Sequence, residues 1–397
     1  MKGVTRTEAA PVLIPAIAPA ASSGAGNGNV PRKMRIAFVY LRGRRARLPD
    51  LASGEVPSEF FYGAKELADA GHTIEHFELA GQDAPKILAA ALDLLRRACL
   101  TPPKMFGHTL AAAWVLASRL NEFDCVVATV GHHAFALAAC AALGRLRTPI
   151  VAIQCGLLHH RYSRVRRAIT QSLLNRMHSV VFGEAEHAPM LESLAPDPAR
   201  VSVNQFGVDP RFWCPGGEHG DFVLAIGNDP RRDYATLLAA AGEIAAPIRI
   251  VTRLPLPEAL PPNVTVLRGS WHDRVISDAD LRALYRRAAC VVTPLHDSLQ
   301  PSGQSVTLQA MACGTPAVLT QTRGLWNPGA IRDRENILLV PPAQPHLLAA
   351  AVREVLGIPA RAARLATAGR QYVLARGNIA DFARRIGEVC GRAATNS

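Results

Sequence analysis

The chain has 397 residues, long enough for two domains, and its 49% hydrophobic and 19% charged residues exclude a wholly disordered protein. No run of eighteen apolar residues occurs, which excludes a helical membrane span from the sequence. The formal charge of +12 is carried almost entirely by arginine and asks for an anionic partner, while 6% aromatics argue against a base-stacking nucleic-acid module.

Residues 1–33 are rich in Ala, Pro, Gly and Ser and are expected to form a disordered tail. Within it, Ala10 to Ala21 is mildly apolar, but Pro11, Pro15 and Pro19 interrupt it, which argues against a secretory signal. The cysteines at 99, 125, 140, 155, 214, 290, 313 and 390 form no Cys-x-x-Cys pair, so they read as core thiols of a reducing, cytoplasmic compartment. The histidines show no metal-ligand spacing either. No metal site is expected.

From Met34 the pattern is α/β. Strand-length apolar runs at Arg35–Tyr40, His72–Phe77, Cys125–Val130, Ile150–Ile153 and Val180–Phe182 alternate with helical segments at Glu59–Ala70, Pro85–Cys99, His133–Gly144 and Ser163–Met177. Between the first strand and the first helix, Arg42–Pro57 reads as a long, arginine-rich loop. A polar, Gly-rich stretch, Cys214–Gly220, reads as a linker. A second series follows at Phe222–Ile226, Ile248–Thr252, Val264–Leu267, Cys290–Pro294, Ala317–Thr320 and Ile337–Val340. The expected fold is two doubly wound Rossmann-like domains, 34–214 and 221–376, facing a cleft into which the carboxyl ends of the strands deliver ligands. The C-terminal segment 377–397 holds a helix, Asn378–Ala393, that could pack back on the first domain.

Two segments of the second domain carry chemistry. Pro301–Pro316 runs from the polar turn Ser302-Gly303-Gln304-Ser305 into a helix, Val306–Cys313, that contains Gln309. A strand, a turn and a helix in that order present unpaired N–H groups and a positive dipole end to a diphosphate. An ordinary capped helix accounts for this segment equally well on its own. After the strand Phe222–Ile226, Gly227 precedes Arg231 and Arg232 at the mouth of the sheet, where guanidinium forks suit phosphate oxygens.

These segments carry a resemblance. Gly207–Pro215, Gly227–Arg232, Leu284–Ala289, Gln309–Pro316 and Glu335–Pro342, in that order, make the chain resemble retaining GT-B glycosyltransferases, and glycosyltransferase family four in particular. The likeness spans about residues 200–357 and is weak in the first domain. It implies a nucleotide-diphosphate sugar bound mainly by the second domain through Gly227, Arg231, Arg232, Ser302, Gly303, Gln304, Ser305 and Gln309. It also implies an acceptor on the first domain, no further cofactor and no divalent metal. Arg232 falls where the family often has a lysine against the diphosphate. Gln309 falls on the second glutamate of the family's Glu-x7-Glu element and Pro301 on the first, so sugar contacts must differ here. The family often has a histidine after the strand matching Ile150–Ile153, where this chain has Gln154-Cys155-Gly156. His132 and His133 are the candidates near the reacting centre instead, and Glu59 is a candidate acceptor contact.

The acceptor stays open. The basic surface and the amphipathic Arg161–Met177 segment permit a lipid-linked or membrane-surface acceptor, with the protein peripheral on the inner membrane face, as well as a soluble one. Two other functions stay open: a catalytically silent GT-B binding protein, suggested by Pro301 and Gln309, and a nucleotide-sugar epimerase, for which the run Pro294–Gly314 offers only Asp297 as a carboxylate.

Overall fold

A computed structural model describes residues 32–79, 86–98, 100–217, 220–269 and 275–395. The tail expected at 1–33 therefore lies outside the described residues, but for 32 and 33.

Two six-stranded sheets, parallel in every pairing, organise the chain. The first contains β1 (Arg35–Tyr40), β2 (Thr73–Glu78), β3 (Cys125–Ala128), β4 (Ile150–Gln154), β5 (His178–Val181) and β6 (Val201–Val203), in the order β2-β1-β3-β4-β5-β6. The second contains β7 (Phe222–Ile226), β8 (Ile248–Val251), β9 (Val264–Leu267), β10 (Ala288–Thr293), β11 (Ala317–Thr320) and β12 (Leu338–Val340), in the order β12-β11-β10-β7-β8-β9. β1, β3, β4, β7 and β10 are buried along most of their length, as continuous apolar runs covered by helices on both faces must be. Among the described residues no helix is long and apolar enough to cross a membrane.

The chain crosses back after the second sheet. The helix Ile379–Thr395 lays Ile379, Phe382, Ala383, Ile386, Val389 and Cys390 into the same core as Ile36, Phe38 and Tyr40 of β1. Its entry is tight, because Val208 pairs with Asn378 and a Cβ on Gly207 would fall 2.2 Å from the Asn378 carbonyl oxygen. Asn204 Nδ2 donates to the Phe382 carbonyl at 3.1 Å and fixes the helix against β6.

Several segments differ from their sequence pattern. The expected helix Glu59–Ala70 is a 3-10 turn, Ser58–Phe61, followed by a separate helix, Ala64–Asp69. Tyr62 and Gly63 between them both take left-handed backbone (φ 54° and 84°), which no helix continues through. Arg42–Pro57 is not a free loop but a 3-10 turn, Arg45–Arg47, and a short helix, Leu48–Ser53. Its arginines are not all available to anions. Arg47 is buried, its Nη2 2.6 Å from Asp278 in the second domain, and Arg44 is buried with its guanidinium over the Phe60 ring.

Candidate active site

The donor side starts from β7. Beyond Ile226 the chain turns at Gly227, and Arg232 folds back so that its Nε donates to the Ile226 carbonyl at 3.0 Å. A Cβ on Gly227 would fall 2.0 Å from that Nε, so only glycine lets the guanidinium lie there. Asp233 caps the helix Tyr234–Ala240 by accepting from Thr236 N, while Tyr234 and Thr252 both donate to the Gly227 carbonyl at 2.8 Å. Arg232 also forms an antiparallel bridge with Leu295 beyond β10, which carries it under the start of the helix Gln304–Ala312.

That helix starts two residues earlier than expected, so Gln304 and Ser305 occupy its first turn. Its N-cap is Gly303 with φ 78°, and no side chain caps it. The first helical bond runs from Thr307 N to the Gly303 carbonyl, leaving the preceding amides without helical partners. Around this open end, Arg232 Nη1, Ser302 Oγ and Gln304 Nε2 are buried and have no hydrogen-bond partner among the described residues. A Cβ on Gly303 would sit 3.1 Å from Arg232 Nη1, which locates the guanidinium at the helix start. A cationic fork, a hydroxyl, an amide NH2 and backbone N–H groups meet here with no carboxylate among them. Such a set suits a multiply charged anion. Arg231 is half-buried beside this site, its N–H held by Asp229 Oδ1 at 3.0 Å.

Gln309 lies further along the helix and is 3% exposed. Its Oε1 accepts from Tyr285 OH at 3.0 Å, and its Nε2 donates to Glu59 Oε1 at 3.1 Å. Glu59 is wholly buried and also accepts from Trp213 Nε1 at 2.5 Å and from Asp209 N at 3.0 Å. Burial pushes its carboxyl up to about 8, against the pull of the Gln309 and Trp213 hydrogen bonds. Glu59 is therefore a buried tie between the domains rather than an acceptor contact, because no part of it reaches open space.

The first domain closes on this site through the loop after β4. Gly156, at φ 68°, approaches Gln300, whose Oε1 would be 3.0 Å from a Cβ there, and a Cβ on Gly183 would be 3.6 Å from Pro301 Cβ. Lys104 Nζ donates to the Cys155 carbonyl, and Glu186 Oε1 accepts from Gly156 N at 2.8 Å. Burial raises the Glu186 carboxyl to about 7, and its Oε2 has no partner among the described residues. His132 and His133 open the helix Gly131–Ala142. His132 is half-buried, held below the usual imidazole range by burial and by Lys104. His133 is 2% exposed, and burial holds it down at about 3, with His132 adding to the effect, so it stays neutral inside the domain and cannot act as a cleft acid.

Lys104 and Glu186 do not stand out in the sequence. Glu186 had a signal, since it sits in the first turn of a helix after a strand's carboxyl end, but Pro189 within that helix disguised the element.

Comparison with known proteins accounts for both halves of this architecture. Residues 222–357 match the family described as glycosyl transferases group 1, and residues 62–212 match glycosyltransferase family 4. Each half of the chain therefore matches a glycosyltransferase family model, family 4 in the first and group 1 in the second. A D-inositol 3-phosphate glycosyltransferase of Mycobacterium sp. (strain KMS) is 31% identical over 172 residues, covering 38% of this chain and 37% of the relative. One from Mycolicibacterium gilvum (strain PYR-GCK) is 29% identical over 208 residues, 47% of this chain and 46% of the relative. The chain thus spans less than half the length of the curated relatives it matches. Among solved structures, sucrose-phosphate synthase from Thermosynechococcus elongatus superimposes with a TM-score of 0.69 at 18% identity, over 92% of this chain and all of that one. HepE from Anabaena in complex with UDP-glucose superimposes with a TM-score of 0.62 at 15% identity, over 90% of this chain and all of that one. At these identities the likeness is one of fold, and the GT-B fold expected from the sequence is the fold observed.

Proposed function

We propose that this chain transfers a glycosyl group from a nucleoside-diphosphate sugar to an acceptor hydroxyl, with retention of anomeric configuration and without a divalent metal. One observation carries the reading: Arg232 Nη1, Ser302 Oγ and Gln304 Nε2 are buried and unpartnered, among the described residues, at the uncapped start of Gln304–Ala312. Buried donors are almost always satisfied, and a diphosphate would satisfy all three. The matched group 1 segment, which contains them, and the UDP-glucose complex of the HepE neighbour both support a nucleotide-sugar donor.

In the proposed step the bond from the anomeric carbon to the β-phosphate oxygen breaks, and negative charge gathers on the leaving diphosphate. Arg232 and the amides of Gly303, Gln304 and Ser305 stabilise that charge as it develops. The acceptor oxygen bonds to the same face of the anomeric carbon, and its proton passes to the departing phosphate oxygen. Nothing in this step requires a protein nucleophile. Arg231, Gly227 and Gln309 complete the donor side as positioning groups in this reading, and His132, half-buried at the start of Gly131–Ala142, is its acceptor-side candidate. The free cysteines, most of them buried, fit a reducing, cytoplasmic setting.

Calorimetric titration with nucleoside diphosphates and their sugars tests the donor site. Arg232→Ala should weaken binding at least about tenfold, the loss of one charge-assisted contact. Unchanged affinity removes Arg232 from the site.

A second reading rests on Gln309, whose amide is already engaged by Glu59 and Tyr285, and on Pro301, which has no side-chain acceptor. In that reading the protein binds nucleotide sugars as a silent GT-B subunit. Donor binding without transfer or hydrolysis across a panel of sugars and acceptors favours it over the enzyme.

A further inference from the structure

We propose that the outer face of the first domain, made by the end of the helix Lys86–Arg97 and the exposed side of the helix Arg164–Leu174, docks on an anionic lipid bilayer. The two elements are fixed to each other by Arg166, which is buried. Its Nε donates to the Thr101 carbonyl at 2.9 Å, its Nη2 to the Arg96 carbonyl at 2.6 Å and its Nη1 to the Arg161 carbonyl at 3.1 Å. Large apolar side chains stand out to either side of this staple: Leu94 (68% exposed), Leu95, Leu100, Val165 (50%) and Ile169. Single exposed apolar residues are ordinary, but several on adjoining elements mark an interaction surface.

Charge selects the occupant. Segments 86–120 and 157–177 together hold ten Lys and Arg and one acid, Asp93, although Arg166 is buried, Arg119 pairs with Glu75 and Glu122, and Lys104 is held by the Cys155 carbonyl. Asp93 is itself engaged, its Oδ1 3.4 Å from Arg96 Nε and 3.5 Å from Gly107 N. Arg161, Arg164 and Arg167 are exposed beside Val165 and Ile169. Apolar side chains rimmed by unopposed arginines match the acyl boundary and acidic headgroups of a bilayer, and fit an uncharged protein surface poorly. The face also adjoins the cleft. The helix Arg164–Leu174 follows directly on the loop whose Gly156 approaches Gln300 across the domains. An acceptor held at a membrane would reach the reacting centre from this side.

The inference extends the transferase reading but is measured without donor, so failure of one leaves the other standing. Sedimentation with vesicles of phosphatidylcholine alone, or with added phosphatidylglycerol, gives the readout. The full chain should bind the anionic vesicles, bind the neutral ones far less, and release as salt rises. Arg164→Glu/Arg167→Glu and Val165→Ser/Ile169→Ser should each weaken anionic-vesicle binding by about tenfold or more. Both alter exposed positions, so their melting temperatures and nucleotide affinities should match the unaltered protein. Failure to bind anionic vesicles at low salt, equal binding by both variants, or self-association through this face that Val165→Ser/Ile169→Ser abolishes, overturns the proposal.

Discussion

Glu59 offers the sharpest test of how the two domains are joined. Its carboxyl is buried and accepts from Trp213 Nε1, Gln309 Nε2 and Asp209 N. Glu59→Ala strands all three donors away from water. Each unsatisfied buried group costs about 1–3 kcal/mol, so the variant should lose on the order of 3 kcal/mol or more of unfolding free energy. Glu59→Gln keeps an acceptor for Trp213 and Gln309 but turns an NH2 toward the Asp209 amide, for a loss of about 1–2 kcal/mol. Urea unfolding followed by tryptophan fluorescence measures both. The pH dependence gives an independent arm. Burial holds the carboxyl at about 8 in the fold, against 4.5 as the ordinary value. The folded state therefore keeps its proton longer than the unfolded chain. The stability this supplies is complete below the ordinary value and is lost as pH rises through about 8, at up to about 1.4 kcal/mol per pH unit in between. Subtracting the Glu59→Gln profile isolates it. Glu59→Ala within about 0.5 kcal/mol of the unaltered chain, outside the cost of even one stranded donor, would refute the reasoning. So would a pH profile identical in Glu59→Gln.

Three further outcomes follow from geometry already given. Gly303→Ala places a Cβ 2.6 Å from Thr293 Cγ2 at φ 78°; it should destabilise by about 1–3 kcal/mol and abolish nucleotide binding by calorimetry, whereas retained affinity would show that the helix start is not the anion site. Asp278→Ala removes one of the two carboxylates on buried Arg47 and leaves Asp50, 2.8 Å from its Nε, so it should cost about 1–3 kcal/mol in denaturant, with an indistinguishable midpoint counting against the ion pair. His133 is held at about 3 in the fold, so the neutral-ring stability present above its ordinary value is lost as pH falls toward 3. Its ring signals in NMR should stay those of a neutral imidazole at pH 5, and His133→Gln should flatten the acid limb of the stability curve.

The parallel sheets were legible because buried parallel strands are continuous apolar runs, and Phe222–Ile226, Val264–Leu267 and Ala317–Thr320 appear where their patterns put them. β6 escaped notice because a three-residue edge strand leaves almost no pattern. The helix Gly107–Leu120 is hard to read in the sequence because its alanine-rich run alternates little, and Glu184–Leu194 because Pro189 sits inside it. The donor side was readable since Gly227–Arg232 and Ser302–Ser305 are local signals, each a strand end leading to a helix start. Glu59 was not readable, since its meaning comes from Gln309, which is 250 positions away. A glutamate near an arginine-rich stretch suggests a ligand contact, and only tertiary packing turns it into a buried tie. Arg47, Arg166 and Arg232 teach the same about charge. Each adds to an anion-seeking charge in the sequence, yet all are buried: Arg47 is spent on Asp278, Arg166 on backbone carbonyls and Arg232 in part on the Ile226 carbonyl.

The return of the helix Ile379–Thr395 to β1 bears on how the molecule is made. The core of the first domain contains residues that are translated only after the whole second domain, and the bond from Asn204 to Phe382 spans 178 positions. Until those residues emerge, the face that Ile36, Phe38 and Tyr40 share with Phe61 and Leu67 lacks part of its cover. The first domain therefore matures second, although it is synthesised first, and a newly made chain must keep an apolar sheet face from aggregating in the meantime.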